Sequence, residues 1–304
     1  MIRLHGNKIE DNSSPVAQGA GKFGQANGSN RPEIALARAR IARGQLEECH
    51  FCAHHCAVNR LAGEFGLCHA GAEARFFSAQ VEVSDELELI PTFAIALSGC
   101  DLRCDFCITG RWSWDSRAGA ALDREAIVAA ALRALDEGAR TIMILGGEPT
   151  IHLPSVLGLV ASLPAEARLV WKTNAHGSAH ARELLAGMFD LWVADYKFGN
   201  DVCAQRLAKV PYYVRIVQEN LAWTNVNCEL IVRHLLMPGH IECCWRPVAE
   251  WLASDLPGVK VNLRSGFWPG WQSRRHAELG GPVSTLDYQK AHSIADDLGL
   301  TLVE

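Results

Sequence analysis

From about residue 90 to the C-terminus, short apolar runs alternate with helix-like segments, and this alternation leaves the chain few folds. The runs are residues 92–98, 141–145, 168–173, 191–197, 229–237 and 259–264. Each has the length and unbroken apolar character of a parallel strand buried on both faces. The clearest helix between them covers residues 123–137. Asp123 serves as its N-cap, Ile127, Ala131, Ala134 and Leu135 share a face, and Gly138 ends it. Further helices are expected at 155–162, 178–188, 204–209, 247–252 and 285–298. Strand–helix alternation implies parallel strands joined by right-handed crossovers. A closed eight-unit barrel takes about 250 residues, and only about 215 remain after residue 90. The expected fold is therefore α/β, an open partial (βα)6 parallel barrel. A doubly wound open sheet is the alternative.

Three cysteines, Cys100, Cys104 and Cys107, lie just after the first of these strands, with Phe106 before the last. Three thiolates so close together can wrap one face of a cubic iron–sulfur cluster and leave the fourth iron without a protein ligand. An open iron can bind a substrate or cofactor, so such a cluster does chemistry as well as carrying electrons.

Polar motifs follow the next strands at the same end. Gly146-Gly147-Glu148-Pro149 follows the second, Thr173-Asn174 the third, Asp195-Tyr196-Lys197 closes the fourth, and Arg233-His234 lies within the fifth. In parallel barrels the active site gathers where strands end and loops begin. The two glycines let backbone approach a ligand closely, and the Glu148 carboxylate can accept from an ammonium group.

The C-x3-C-x2-C spacing with its aromatic resembles the signature of the radical SAM superfamily. That resemblance implies a [4Fe-4S] cluster on Cys100, Cys104 and Cys107, with S-adenosylmethionine chelating the open iron. Gly146, Gly147 and Glu148 resemble the element holding the methionine amino group, and Phe106 belongs to the same cofactor set. Thr173, Asn174, Asp195, Lys197 and Arg233 look like the cofactor-contacting residues of glycyl-radical-enzyme activating enzymes. One departure stands out: Lys172 precedes Thr173 where those enzymes often have an aspartate beside a bound monovalent cation. Its ammonium is expected to replace that cation, or the cation site is absent.

A second group, Cys49, Cys52, Cys56 and Cys68, has the spacing C-x2-C-x3-C-x11-C, with His50, His54, His55 and His69 interleaved. Four thiolates suit tetrahedral zinc or a complete iron–sulfur cluster, and spacing does not separate the two. The histidines are then solvated or supporting, because the thiolates already complete a site. The run from Cys56 to Cys68 resembles a pyruvate formate-lyase-activating-enzyme-like subgroup in which such a segment precedes the barrel. The resemblance covers residues 47 to 240. It implies reductive cleavage of S-adenosylmethionine to a 5′-deoxyadenosyl radical, an electron donor such as flavodoxin or ferredoxin, and a protein, peptide or small-molecule substrate. A glycyl radical enzyme is one such protein.

The expected organisation is a flexible polar tail over residues 1–35, a Cys-rich metal-binding segment over 36–85 and the barrel over 86–304. Of the eleven cysteines, seven lie in the two tight groups, which argues for metal over disulfides and for a reducing cytoplasm. Cys203, Cys228, Cys243 and Cys244 show no ligand spacing and read as buried free thiols. A net charge of −5 without a basic run disfavours nucleic acid, and no apolar run is long enough to span a bilayer. Residues 265–283, with Trp268, Trp271, Arg274, Arg275 and His276, form a long loop expected to act as a lid or substrate surface, or simply to cover core.

Overall fold

The computed structural model describes residues 30–83 and 86–304. The expected tail falls mostly outside the described residues, and its last five positions, from Arg31, already belong to a helix. Nine strands form one sheet: β1 (Arg75–Glu82), β2 (Thr92–Leu97), β3 (Ala120–Ala121), β4 (Thr141–Gly146), β5 (Leu169–Thr173), β6 (Leu191–Asp195), β7 (Glu229–Leu235), β8 (Lys260–Arg264) and β9 (Thr301–Val303). Their order is β3-β1-β2-β4-β5-β6-β7-β8-β9. From β2 onward every neighbour pair is parallel, while β1 runs antiparallel to β2 and β3 to β1. The sheet does not close on itself, so the molecule is an open partial barrel. All six expected strands are present. A seventh parallel strand, β9, has only three residues, too few to register as an apolar run.

The helices are α1 (Arg31–Gly44), α2 (Arg111–Trp114), α3 (Arg124–Asp136), α4 (Leu153–Val160), α5 (Ala179–Leu185), α6 (Asp201–Ala208), α7 (Tyr213–Asn227), α8 (Arg246–Asp255) and α9 (Thr285–Asp297). Asp123 caps α3 as expected, its carboxylate accepting from the Ala126 N–H at 3.1 Å. Two long helices escape the sequence reading. In α1 the buried face is Arg31, Ala35, Arg38 and Ala42, which has helical spacing without apolar character. Its arginines are buried because Arg31 pairs with Asp190 at 2.9 Å and Arg38 donates to the Leu184 carbonyl at 3.1 Å. In α7 the buried residues are Tyr213, Val217, Asn220, Leu221 and Thr224; all but Leu221 are β-formers or polar by type, and their spacing marks the helix.

Side chains alternate across each strand, so the sheet separates two cores. Leu89, Met143, Val170, Leu191, Val193 and Ile231 fill the bottom of the barrel. A larger apolar layer lies between the sheet and the helices, with Trp171 and Trp245 wholly buried in it. Lys172, Asp195 and Arg233 share the inward face with Val170, Val193 and Ile231, one pleat nearer the C-terminal rim. The lumen is thus apolar at its floor and charged at its mouth.

Candidate active site at the mouth of the barrel

The cysteine loop leaves β2 and is held by backbone on its far side. Arg103 N–H donates to the Ala208 carbonyl at 2.9 Å and Asp105 N–H to the Leu207 carbonyl at 2.8 Å, both at the end of α6. Asp105, buried between Cys104 and Cys107, accepts from Lys209 at 2.9 Å and contacts His276 Nε2 at 2.7 Å. Cys100 and Cys104 are buried and Cys107 half-buried. The Phe106 ring is buried against Phe198 and Phe267, with centroids 6.0 and 6.3 Å away. Phe267 and His276 belong to the long loop 265–283, so that loop is fixed against the cysteine loop. Both its tryptophans are exposed, Trp268 the more so at 71%.

The glycine element serves the same loop. Gly147 N–H donates to the Leu97 carbonyl and Glu148 N–H to the Gly99 carbonyl, each at 2.9 Å. A Cβ on Gly146 would collide with the Leu97 backbone, and one on Gly147 with the Gly99 carbonyl oxygen. The glycines are therefore required by approach of backbone to backbone. Glu148 is 1% exposed. Its Oε1 accepts from the Thr150 N–H at 3.0 Å, the Thr150 hydroxyl at 2.6 Å and the Thr173 hydroxyl at 2.8 Å, and its Oε2 from the Asn174 N–H at 2.7 Å. Burial, with Asp101 adding to it, pushes this carboxyl up to about 7 against those donors. Glu148 thus ties the end of β4 to the end of β5, where the sequence suggested a free acceptor.

Asn174 turns its amide toward the cysteines, donating to Asp101 Oδ1 at 2.7 Å and to Cys100 Sγ at 3.7 Å. Asp101 Oδ2 meets His176 Nδ1 at 2.7 Å, both fully buried. Burial opposes the Asp101 charge, yet His176 and Asn174 hold its carboxyl below the usual range. Neither Asp101 nor His176 was among the expected site residues; a lone acid between cysteines and a histidine two residues past Thr-Asn carry no motif.

At the lumen mouth Asp195 pairs closely with Lys197 and lies 3.9 Å from Arg233 Nε. Glu86, wholly buried, takes Lys172 Nζ at 3.4 Å and Arg233 at 3.7 Å. Burial works against the Asp195 charge, but Lys197, Arg233 and Lys172 keep its pKa lowered. Lys172 thus brings positive charge to the neighbourhood of Asp195. The first turn of α7 fixes this rim, since the Tyr213 hydroxyl accepts from the Lys197 N–H at 2.8 Å.

The N-terminal cysteines pack against the same end. Cys49 N–H donates to Val58 and Ala57 N–H back to Cys49, each at 3.1 Å, folding the segment on itself. Cys52 bridges to Gly177 beyond β5, and His54 Nε2 contacts the Asp101 carbonyl at 3.0 Å. Asp101 therefore lies between the two cysteine groups.

Buried thiols ionise with difficulty: burial raises Cys100 strongly and takes Cys104 to about 12. Donors nevertheless aim at a sulfur, with the Leu102 N–H 3.3 Å from Cys100 Sγ alongside the Asn174 amide. Donors directed at a sulfur suit a thiolate held by a cation. Among the described residues, the groups of three or more His, Cys, Asp or Glu whose ligand atoms all lie within 4.8 Å are His54/Asp101/His176 and a set in the β6–β8 region. Cys100, Cys104 and Cys107 are spread more widely, as a multi-iron cluster needs and a single ion does not. The donor set fits a cluster.

A model of the radical SAM superfamily matches residues 95–252, a little over half of the chain. The chain belongs to the radical SAM superfamily. Members of this superfamily are enzymes that use a [4Fe-4S] cluster and S-adenosylmethionine, and Cys100, Cys104 and Cys107 are the residues here that would hold the cluster. An uncharacterized protein of Methanocaldococcus jannaschii, MJ0674, is 27% identical over 282 residues, covering 90% of this chain and 81% of its own. Streptococcus suis SuiB bound to S-adenosylmethionine shares the fold at TM-score 0.52 and 18% identity, over 67% of this chain and 47% of that one. SuiB bound to its precursor peptide SuiA matches equally, over 46% of its length. A radical SAM methyltransferase from Sphaerobacter thermophilus has TM-score 0.51 and 17% identity, over 69% of this chain and 65% of that one. The chain thus spans under half of the SuiB structures it matches.

Cys203, Cys228, Cys243 and Cys244 are free thiols as expected, although Cys243 is exposed and not buried. Cys228 does stand apart, its thiol donating to the Phe189 carbonyl at 3.3 Å. The other three converge with His240. Pairing of β6 with β7 sets side by side two loops that sequence keeps about forty residues apart.

Two histidines of this radical SAM protein give its fold an acid limit. His152 donates toward the Ser98 carbonyl and His234 toward the Tyr196 carbonyl, and burial lowers each to about 4. An unfolded histidine titrates at about 6.5. Between these values the unfolded chain binds more protons, so stability rises with pH across that window and is flat below it. Each histidine costs roughly 3 kcal/mol by the acid end. Glu148, held at about 7, has the opposite sign and offsets about one of the two histidines, so urea midpoints measured from pH 7 to pH 4 should fall by the share of the other; midpoints unchanged or rising over that range would contradict the assignment.

Proposed function

We propose that this radical SAM enzyme abstracts hydrogen from a protein or peptide presented at the barrel mouth, with activation of a glycyl radical enzyme as the first reading. Convergence of the cysteine loop, the glycine element, Thr173-Asn174, Asp195/Lys197 and Arg233 on one rim carries the proposal. When bound, the cluster and S-adenosylmethionine supply reductive carbon–sulfur cleavage and the 5′-deoxyadenosyl radical. The chain's own residues do the rest. Cys100, Cys104 and Cys107 hold iron, and the Gly146 and Gly147 backbone, with Glu148 setting its course, offers carbonyls to an ammonium group. Asp195, Lys197 and Arg233 place fixed charges where a ribose and a carboxylate need partners.

A macromolecular substrate is supported by exposed apolar side chains beside the cysteine loop. Ile108 follows Cys107 and is 76% exposed, and Trp268 lies on the loop fixed against it. Direct modification of a peptide, supported by the same surface, or of a small molecule is the second reading. Cys49, Cys52, Cys56 and Cys68 would hold either zinc or a second iron–sulfur cluster at the N-terminal segment. A flavodoxin or ferredoxin donor in a reducing cytoplasm completes the reading. No helix among the described residues is long and apolar enough to cross a membrane.

The test is anaerobic iron and sulfide analysis with electron paramagnetic resonance, with and without S-adenosylmethionine. Added cofactor should perturb one cluster signal, and dithionite should release 5′-deoxyadenosine. Mixing with a glycyl radical enzyme should then raise a glycyl signal. Spectra indifferent to the cofactor would refute the enzyme reading, and a mass change on a peptide without a glycyl signal would move the assignment to direct modification.

A further inference from the structure

On the far side of the mouth from the N-terminal cysteines, α6 and the turn before α8 bring four ligand atoms together. Cys203 Sγ lies 3.9 Å from Cys243 Sγ, which lies 3.9 Å from Cys244 Sγ. His240 Nδ1 faces all three, at 3.6 Å from Cys203, 3.3 Å from Cys243 and 3.5 Å from Cys244. A zinc tetrahedron with Zn–S of about 2.3 Å and Zn–N of about 2.0–2.1 Å has S···S edges of about 3.8 Å and S···N edges of about 3.6 Å. Five of the six edges match that tetrahedron, and all four ligand atoms lie within 4.8 Å of one another. We propose that Cys203, His240, Cys243 and Cys244 bind a single zinc ion that clamps the loops after β6 and β7.

The surroundings are those of a ligand set. All three sulfurs face the one ring nitrogen, Nδ1, in the arrangement that a shared cation would hold. The outer nitrogen, Nε2, lies 3.6 Å from the Glu278 carboxylate, which fixes the ring with Nδ1 turned inward. Arg206 binds that same carboxylate and sits 3.4 Å from the ring. Three thiolates around a divalent cation carry one net negative charge, and the Arg206–Glu278 pair beside them adds none. The Asn200 amide donates to Cys203 Sγ at 3.4 Å and reaches Cys244 Sγ at 4.0 Å, as donors to metal-bound sulfur do. A one-turn π-helix, Ile241–Trp245, brings the consecutive cysteines round to His240. Gly199 presses against the Cys244 carbonyl so closely that any Cβ would displace one of the two loops.

The spacing excludes a cubic cluster, which needs its sulfurs farther apart, and it excludes a disulfide, whose sulfurs bond at about 2.0 Å. Cys203, His240 and Cys244 are buried, and four protein ligands leave no open position, so the ion is structural. Its place gives it a purpose. The end of α6 supplies the carbonyls that hold Arg103 and Asp105 of the cysteine loop, and Glu278 and His276 come from the loop over it. The ion would brace the wall behind Cys104.

Zinc analysis of the full-length protein beside its Cys203→Ser/Cys244→Ser variant tests this. The variant should carry one zinc per chain fewer; equal zinc in the two proteins overturns the site. Should the variant fail to fold, the native chain answers alone. Cys243 is exposed, so iodoacetamide reaches it, and the comparison is between labelling with and without a chelator. The thiol should resist until a chelator strips the metal, with the label located by peptide mass. Equal labelling of Cys243 with and without chelator, or a disulfide within the group, overturns the proposal.

Discussion

A Cys104→Ala protein should retain its fold, lose the iron of the barrel cluster and release no 5′-deoxyadenosine above background. Two remaining thiolates cannot hold a cube whose fourth corner is already without a protein ligand. The loop itself should persist, because its anchors are independent of the sulfur. Arg103 and Asp105 bond to α6, Asp105 to Lys209 and His276, and Phe106 to its aromatic neighbours. Circular dichroism separates loss of cluster from loss of fold. Full iron content together with cofactor cleavage in this variant would refute the role given to Cys104.

Glu148→Ala is expected to be damaging for another reason. It strips an acceptor from the Thr150 and Asn174 N–H groups and from two hydroxyls, all buried. Buried donors left without partners cost 1–3 kcal/mol each, less where a hydroxyl can rotate to another acceptor, so a loss of roughly 3 kcal/mol is expected. The ends of β4 and β5 should loosen together, and Asn174 should lose its aim at Cys100. Denaturant unfolding reads the first effect and the cluster's spectrum the second. A Thr173→Val chain, which removes one of the four donors, should lose much less. Equal stability of Glu148→Ala and the native chain would show that the carboxylate is dispensable to the fold.

The barrel strands were legible because burial on both faces demands unbroken apolar runs, and such runs survive without any knowledge of neighbours. Their rim was legible too, since chemistry sits at strand ends and the motifs follow the strands one by one. Purpose was harder to read than position. The sequence offered Gly146-Gly147 as a cradle for a ligand, whereas backbone-to-backbone approach accounts for both glycines. Glu148 was read as a ligand acceptor, and the fold shows it occupied by protein donors. In α1 burial depends on arginines whose partners lie on distant carbonyls, so local pattern hides it. The zinc ligands were hidden for a related reason: His240-x2-Cys243-Cys244 lacks its fourth member until β6 and β7 pair.

By itself the chain's order of residues determined an open parallel α/β fold, with barrel and doubly wound sheet both allowed, and three cysteines at its strand ends, because these depend on spacing within one stretch. Only the folded molecule decided which distant groups meet: Asp101 with His176, Glu86 with Lys172 and Arg233, Cys203 with the turn at His240. Such meetings depend on which strands lie side by side and on the direction of each crossover, and neither is written in any local run of residues.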